Sequence, residues 1–396
     1  MRRLRALAVA LAVVWPLPLA AQDTGVALIA GGVPYVEYIG PGTLFNTFSA
    51  WFSCARGFIQ SPSGTPATSC NVRSEVFVGT GTIATNVLTI SAVTSGTLQV
   101  GEHITDTSGA IGSSHTIAAI LTGTGGIGTY QLNSSVGTVA SGTITGHDQC
   151  DLELASTGAS NGYVTTTENC LYTFDNGLSY TSYCNLGAAA CFVTEMYDQT
   201  GNTQNIVQAT YADQPPLILN CLDSLPCVQL TSPYSLAASS NFTPATGLVS
   251  YVAVAERTSG SSTTAPMPMM KETGGNNQFA IYGAASAGAN KWGLVSATHT
   301  PTAAASDGAW HAGNAVSTAS GSTSLINIDG TTTGSLLVAS TTTAGAVGMG
   351  GGNTSTVVYV MEAGFLDNYT LTGPNITTLC ENEQGAYVNT NFPAQC

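Results

Sequence analysis

The sequence predicts an all-β protein: a β-sandwich of two antiparallel sheets interrupted by a small inserted β domain. Three observations lead there. Hydrophobic residues make up 43% of the 396-residue chain but come in short runs divided by Gly, Ser and Thr, and charged residues are only 8%. Six runs of strand length fall at 248–256, 278–282, 292–296, 311–316, 324–328 and 357–364. Residues 74–148 have a texture of their own, rich in Gly and Thr, with a glycine turn about every ten residues.

The elements follow in chain order. Residues 1–21 carry a basic start (Arg2, Arg3, Arg5), an apolar stretch over 6–14 and the small residues Ala20 and Ala21. This is the pattern of a secretory signal peptide, with cleavage expected near Ala21. Pro16 and Pro18 cut the apolar run short of the ~20 residues that span a bilayer. No later run is long and apolar enough to span one, so the chain is expected to be secreted, periplasmic or attached to a cell surface.

Over 43–52, Leu44, Phe45, Phe48, Trp51 and Phe52 recur at helix-like spacing and predict a short helix or buried turn. In the block 74–148, Leu88, Ile90 and Ala92 alternate with polar residues, a half-buried strand signal. The glycines at 123–128 make no phosphate loop, since no Lys-Ser/Thr follows. Residues 197–215 are dense in amides and turn formers between two apolar runs. They predict a strand, a shaped polar corner and a second strand, with Asp198 as a corner-former. Residues 218–230 suit a strand pair. Asp329-Gly330 is a hairpin signal. Residues 374–388 suit a short amphipathic helix with Pro374 near its start. The domain layout is therefore a leader at 1–21, a sandwich built from 22–73 and 149–396, and an insert at 74–148.

Ten cysteines, at 54, 70, 150, 170, 184, 191, 221, 227, 380 and 396, suggest disulfides in a secreted chain. Sequence does not fix their connectivity. Closeness favours Cys184–Cys191, Cys221–Cys227 and Cys380–Cys396, and Cys54–Cys70 and Cys150–Cys170 then remain. No cofactor or metal is expected. The spacings hold no CxxC or HxxxH pattern, and the five histidines are scattered. Three of the eight basic residues lie in the leader, so the processed chain carries five against 22 acidic residues, a net of −17. That balance argues against a nucleic-acid partner.

Three stretches then converge on a family. They are Cys191-Phe-Val-Thr-Glu-Met-Tyr-Asp-Gln-Thr-Gly-Asn202 with Gln208 and Gln214-Pro215; Lys271-Glu272-Thr-Gly-Gly-Asn276-Asn277; and Gly348-Met-Gly-Gly-Gly-Asn353. In this order they resemble the catalytic domain of α-L-arabinofuranosidase B. The resemblance implies a concanavalin-like jelly roll, shared with bacterial and phage lectin-like proteins, that handles arabinofuranose-containing polysaccharide. The block 74–148 resembles a small β module of phage tail and surface proteins.

A retaining glycosidase needs two carboxyl groups about 5 Å apart. The resemblance makes Glu272 the candidate nucleophile, but Gly352 stands where the family has its acid, and the family's adjacent cysteine pair has no counterpart. A substitute acid would come from Asp307, Asp329, Glu362 or Asp367. Trp292, Trp310, Asn276, Asn277 and Asn353 are the candidate sugar contacts. The expected partner is a polysaccharide or cell-surface glycan. The expected function is carbohydrate recognition on an arabinofuranosidase-like scaffold, with an active retaining α-L-arabinofuranosidase or a structural adhesion protein as alternatives.

Overall fold

The computed structural model describes residues 36–38, 47–55, 57–59, 68–112, 114–153, 163–165, 178–179, 183–184, 191–222, 225–242, 249–258, 267–272, 278–282, 291–295, 303–304, 308–316, 323–329, 331–337, 345–351, 357–367, 369, 371–377 and 379. They form a β-sandwich of two sheets, plus a two-stranded parallel pair, Val36–Tyr38 with Gly57–Ile59. Neither stacked sheet closes on itself as a jelly-roll barrel.

The smaller sheet runs in the order Leu217–Ile218, Cys227–Leu230, Val358–Asp367, Val249–Arg257, Trp310–Val316, Thr323–Ile328, Thr331–Leu337. Ala50–Ser53 joins the same edge of Val358–Asp367 beyond the end of Cys227–Leu230. Its central strands are buried on both faces. Tyr251, Ala253, Ala255, Ala315, Val360, Ala363 and Phe365 face the other sheet. Val252 and Leu366 on the outer face meet Phe48, Trp51, Leu371, Ile376 and Leu379. Val254, Ala312 and Met361, also on the outer face, meet Leu222 and Leu225. Such strands read as near-continuous apolar runs rather than alternating ones.

The larger sheet runs Leu178–Ser179, Tyr163–Thr165, Gly137–Glu153, Thr68–Thr85, Phe192–Met196, Ile206–Val207, Ser235–Phe242, Gly345–Gly350, Met267–Glu272, Gln278–Tyr282, Lys291–Val295, Ala303–Ala304. Val72, Val193, Met196, Ile206, Leu236, Met270, Phe279, Trp292, Val347 and Met349 form its half of the shared core. Tyr251 stacks on Phe279 between the sheets, with ring centroids 6.4 Å apart. Gly313 lies opposite Trp292: a Cβ there would sit 2.1 Å from Trp292 Cζ3. The missing side chain lets the indole lie flat against the facing strand. Cys54–Cys70 ties the end of Ala50–Ser53 to Thr68–Thr85 and so links the two sheets.

Cys184–Cys191 and Cys221–Cys227 pair as closeness suggested, and Cys150 is also disulfide-bonded. Cys170, Cys380 and Cys396 lie outside the described residues, as does the leader 1–21. The disulfides mark an oxidising, extracytoplasmic compartment. Among the described residues no helix is long and apolar enough to cross a membrane.

Thr68–Thr85 and Gly137–Glu153 pair for most of their length and run out of the sandwich. Beyond Glu75 they join Val87–Gly96, Gly128–Leu132, Ile117–Thr122 and His103–Asp106. The His103–Thr116 bridge and the Gly101 N–H to Ile117 C=O bond (2.8 Å) close these six strands into a ring. Inside it is a second core of Phe77, Ile83, Leu88, Ile90, Leu98, Ile104, Ile111, Ile117, Tyr130, Leu132, Val139 and Ile144.

Residues 50–53 are a strand, not part of a helix. Trp51 points to the outer core and Phe52 to the inner one, so both faces are apolar and the period-2 signal is lost. The polar corner is as expected. Asp198 Oδ1 accepts from the Trp51 N–H (3.3 Å) and the Thr200 N–H (3.0 Å), and its Oδ2 accepts from the Gln204 N–H (3.1 Å). Gln199 Nε2 donates to the Ser53 carbonyl and Asn202 Nδ2 to the Phe48 carbonyl. The loop thereby staples the Ala50–Ser53 strand in place. Near the C-terminus residues 373–377 are helical, and the Thr372 N–H and hydroxyl both donate to Asn375 Oδ1 at the start of the helix.

Candidate functional site

Among the described residues, those expected to act on sugar are not gathered in one place. Trp292 and Trp310 are buried, with exposures of 2% and 5%. Trp292 is wedged between the sheets against Phe279 and His311, and Trp310 packs with Val254 and Met361 on the outer face of the smaller sheet. Neither ring has a face to offer a ligand. Asn276, Asn277, Asn353 and Gly352 lie outside the described residues. Glu272 ends the Met267–Glu272 strand opposite Val347. In that antiparallel register the partner strand runs on from Val347 past Lys271 and ends at Gly350, three residues further along. Of the substitute acids, Asp329 holds the hairpin turn: it accepts from the Ala312 N–H (3.0 Å) and pairs with His311 Nδ1 (2.6 Å). Glu362 is fully buried. Asp307 lies outside the described residues.

A different group of polar side chains is assembled on the outer face of the larger sheet. Cys70, Val72, Cys150, Val193 and Met196 point into the core, which turns their neighbours outward. Register then lines up two rows across three strands. Asp151, Asn71 and Glu195 form one; Gln149, Arg73 and Phe192 form the next, two residues along.

In the first row Asp151 Oδ1 accepts from the Tyr197 hydroxyl (2.7 Å) and from Asn71 Nδ2 (2.8 Å). Asn71 Oδ1 in turn accepts from the Thr194 hydroxyl (2.5 Å). Glu195 Oε1 accepts from Asn205 Nδ2 (2.8 Å). Burial pushes the Glu195 carboxyl up, the Asn205 bond draws it down, and the charge of Asp151 adds to the rise. Burial, together with its bond to Asp151, also raises the Tyr197 phenol, which stays a protonated donor. Asp151, Glu195, Thr194 and Tyr197 are half-buried: fixed by the sheet yet reachable from outside.

The second row is anchored by Arg73, only 2% exposed. Its Nε donates to Gln214 Oε1 (2.6 Å) and its Nη1 to Glu75 Oε1 (3.2 Å). The guanidinium lies over the rings of Phe192 (4.4 Å) and Tyr211 (4.6 Å). Nη1 is also 2.7 Å from His147 Nδ1, and Arg has only donors, so Nδ1 accepts. The ring proton is then on Nε2, which donates to the Thr105 hydroxyl at 2.7 Å. Burial, then the Arg73 charge, holds the His147 pKa well below its usual value, in keeping with a neutral ring. Gln149 Nε2 donates to the Tyr211 hydroxyl (3.1 Å). This row is a rigid support at the junction of the sandwich and the six-stranded ring.

The result is a half-buried face with the carboxylates of Asp151, Glu195 and Glu75, amide donors and acceptors, and the rings of Tyr197, Phe192 and Tyr211. It can hydrogen-bond hydroxyl groups and place two carboxyls about a ligand. Among the described residues no group of three or more His, Cys, Asp or Glu is placed to hold a metal ion. These residues come from three distant segments of the chain. Their only local trace is the alternation of Asn71 and Arg73, and of Gln149 and Asp151, with core residues between.

No family model matches the chain, and no curated protein sequence matches it. Among solved structures it is similar to a GH54 α-L-arabinofuranosidase soaked with a cyclic sulfate inhibitor, at 14% identity and a TM-score of 0.42, covering 59% of this chain and 58% of that one. It is also similar to the botulinum neurotoxin type G receptor-binding domain (9%, TM-score 0.33, 45% and 48% covered) and to Trypanosoma rangeli sialidase in complex with sialic acid (12%, TM-score 0.35, 50% and 32% covered). The chain spans less than two thirds of the length of each. At these scores the likeness identifies neither a family nor a function.

Proposed function

We propose that this is an extracytoplasmic glycan-binding protein whose ligand lies along the row Asp151, Asn71, Glu195. The observation that carries the reading is that row itself, half-buried and fixed by register, with Tyr197 and Asn205 completing it. Carboxylates and amides on a rigid sheet pair with vicinal hydroxyls without first being ordered. The ligand is expected to be neutral. The chain is strongly acidic, and Arg73 is enclosed by Glu75, Gln214 and two rings, so this face shows no exposed cation among its described residues. An arabinofuranose-containing polysaccharide, bound on a concanavalin-like jelly roll, is the specific form that the sequence motifs support.

The test is affinity electrophoresis through gels containing arabinan, arabinoxylan and unrelated neutral glycans. Retardation by at least one glycan is expected, and it should weaken in Glu195→Gln and in Tyr197→Phe. Migration unaffected by every glycan would end the proposal.

A second reading, glycoside hydrolysis, is favoured by the raised Glu195 carboxyl beside Asp151. Glu195 is raised by burial and by Asp151, as a general acid must be, while Asp151 is held by two donors. Their strands are two spacings apart, about 9.6 Å, nearer the separation of inverting than of retaining enzymes. Release of 4-nitrophenol from 4-nitrophenyl α-L-arabinofuranoside would support it if lost in Glu195→Gln and Asp151→Asn. Loss in Glu272→Gln alone would return the chemistry to the strand end at Glu272.

A further inference from the structure

Among the described residues the large apolar side chains left exposed are Val93 (39%), Val100 (50%), Ile120 (38%), Leu121 (50%) and Ile127 (64%), and all five belong to the six-stranded ring. Among its described residues the sandwich contributes none. The five lie on neighbouring segments of the ring. A Cβ on Gly126 would meet Val93 Cγ2 at 3.7 Å. The Leu98 N–H bonds the Gly125 carbonyl (2.7 Å), and the Gly101 N–H bonds the Ile117 carbonyl. The segment 98–101 therefore runs beside the strand that carries Ile120 and Leu121, and the loop holding Ile127 lies against Val93.

We propose that this apolar end of the ring is a self-association surface that pairs two copies of the chain. Charge favours a second copy as the occupant. Residues 76–147 contain two carboxylates, Glu102 and Asp106, and no Lys or Arg, in a chain of net charge −14. Glu102 is fully buried, and Asp106 caps its own turn through the Ser108 and Ile111 N–H groups. Two chains meeting elsewhere bring like charges together; meeting here they do not. A charged partner would find nothing to pair with on this end, whereas an identical neutral surface matches it.

Area agrees. Five side chains of this size at these exposures offer roughly 400 Å² of apolar surface, near the apolar share of one partner's ~800 Å² in a standard interface. The surface is also preorganised. The Tyr130 hydroxyl bonds the Gly126 carbonyl, and Gly125 at φ +98° packs against Leu98, so the 123–127 loop is held in one shape. The closed ring leaves no open strand edge at this end, which makes side-chain packing, not strand addition, the mode of contact. A two-fold pair in which each Ile127 meets the other copy's patch is the simplest closed arrangement.

The test is sedimentation velocity of the full chain over a wide concentration range, beside Ile127→Asp and the double variant Leu121→Asp/Ile127→Asp. The substituted positions are solvent-exposed, and circular dichroism monitors the fold. The proposal predicts a concentration-dependent dimer for the parent chain, with association weakened roughly tenfold or more in Ile127→Asp and abolished in the double variant. A parent chain that stays monomeric, including one that instead floats with phosphatidylcholine vesicles, overturns it. So does a dimer that survives the double substitution. Glycan binding is read separately and does not bear on the outcome.

Discussion

Gly313→Ala puts the packing of the sandwich to a direct test. The new Cβ would lie 2.1 Å from Trp292 Cζ3, 2.3 Å from Cε3 and 3.0 Å from Phe279 Cζ. Carbon atoms pack at about 3.5–4.0 Å, so the indole must withdraw by roughly 1.5 Å. It has nowhere to go: the ring is 2% exposed and held edge-on by Phe279 and His311. Overpacking of this kind costs about 1–3 kcal/mol, and a rigid ring trapped between two sheets places the cost near 3 kcal/mol. In a Trp292→Leu background the obstacle is gone, and the same substitution should cost under about 1 kcal/mol, a coupling of about 2 kcal/mol. Equilibrium urea denaturation with the disulfides intact measures both. A cost below about 1 kcal/mol in the parent chain, or equal costs in the two backgrounds, would refute the placement of Trp292 in the core and restore it as a candidate sugar platform.

Other consequences follow from the same structure. The depressed His147 pKa means that the unfolded chain binds the proton more readily. Its contribution is therefore present above the unfolded value of 6.5 and lost as pH falls below it, by up to about 1.4 kcal/mol per pH unit. Denaturation midpoints should show this slope, and His147→Gln should flatten it; a slope unchanged in that variant would contradict the neutral ring. Glu195, raised in the fold, acts in the opposite sense, its contribution present below the unfolded value of 4.5 and lost as pH rises through the folded pKa. Replacing Cys54 and Cys70 by Ser opens a link of sequence separation 16 between the sheets and should cost about 3 kcal/mol, measured by the same denaturation. Asp198→Ala leaves the Trp51 N–H without its acceptor and should cost about 3 kcal/mol, with faster hydrogen exchange confined to residues 50–53 and the 198–205 corner.

The β class and the strands of the C-terminal half were legible in the sequence because short apolar runs and turn residues mark them without help from distant residues. Asp329 at a positive φ of 50°, between two paired strands, is one such signal. The corner at Asp198 was legible for the same reason, since its side chain bonds a backbone two and six residues away. Ala50–Ser53 was not. A strand buried on both faces shows no alternation, and Leu44, Phe45 and Phe48 before it imitate a helical stripe. Trp292 could not be placed from its own segment, because its burial depends on a glycine in a strand of the opposite sheet. The row on the outer face was the least legible. Asn71, Asp151 and Glu195 are joined only by strand pairing, and family resemblance drew attention to Glu272 and Gly352 instead.

The measurement that bears most directly on that row is calorimetric titration of the full chain with oligosaccharides released from whichever glycan retards it, comparing the parent with Glu195→Gln, Asp151→Asn and Glu272→Gln. Losing one hydrogen-bonding carboxylate at the binding face should weaken affinity about tenfold, equivalent to 1.4 kcal/mol. The account predicts that loss in the first two variants and parental affinity in the third. Parental affinity in Glu195→Gln and Asp151→Asn, with loss in Glu272→Gln, would contradict it.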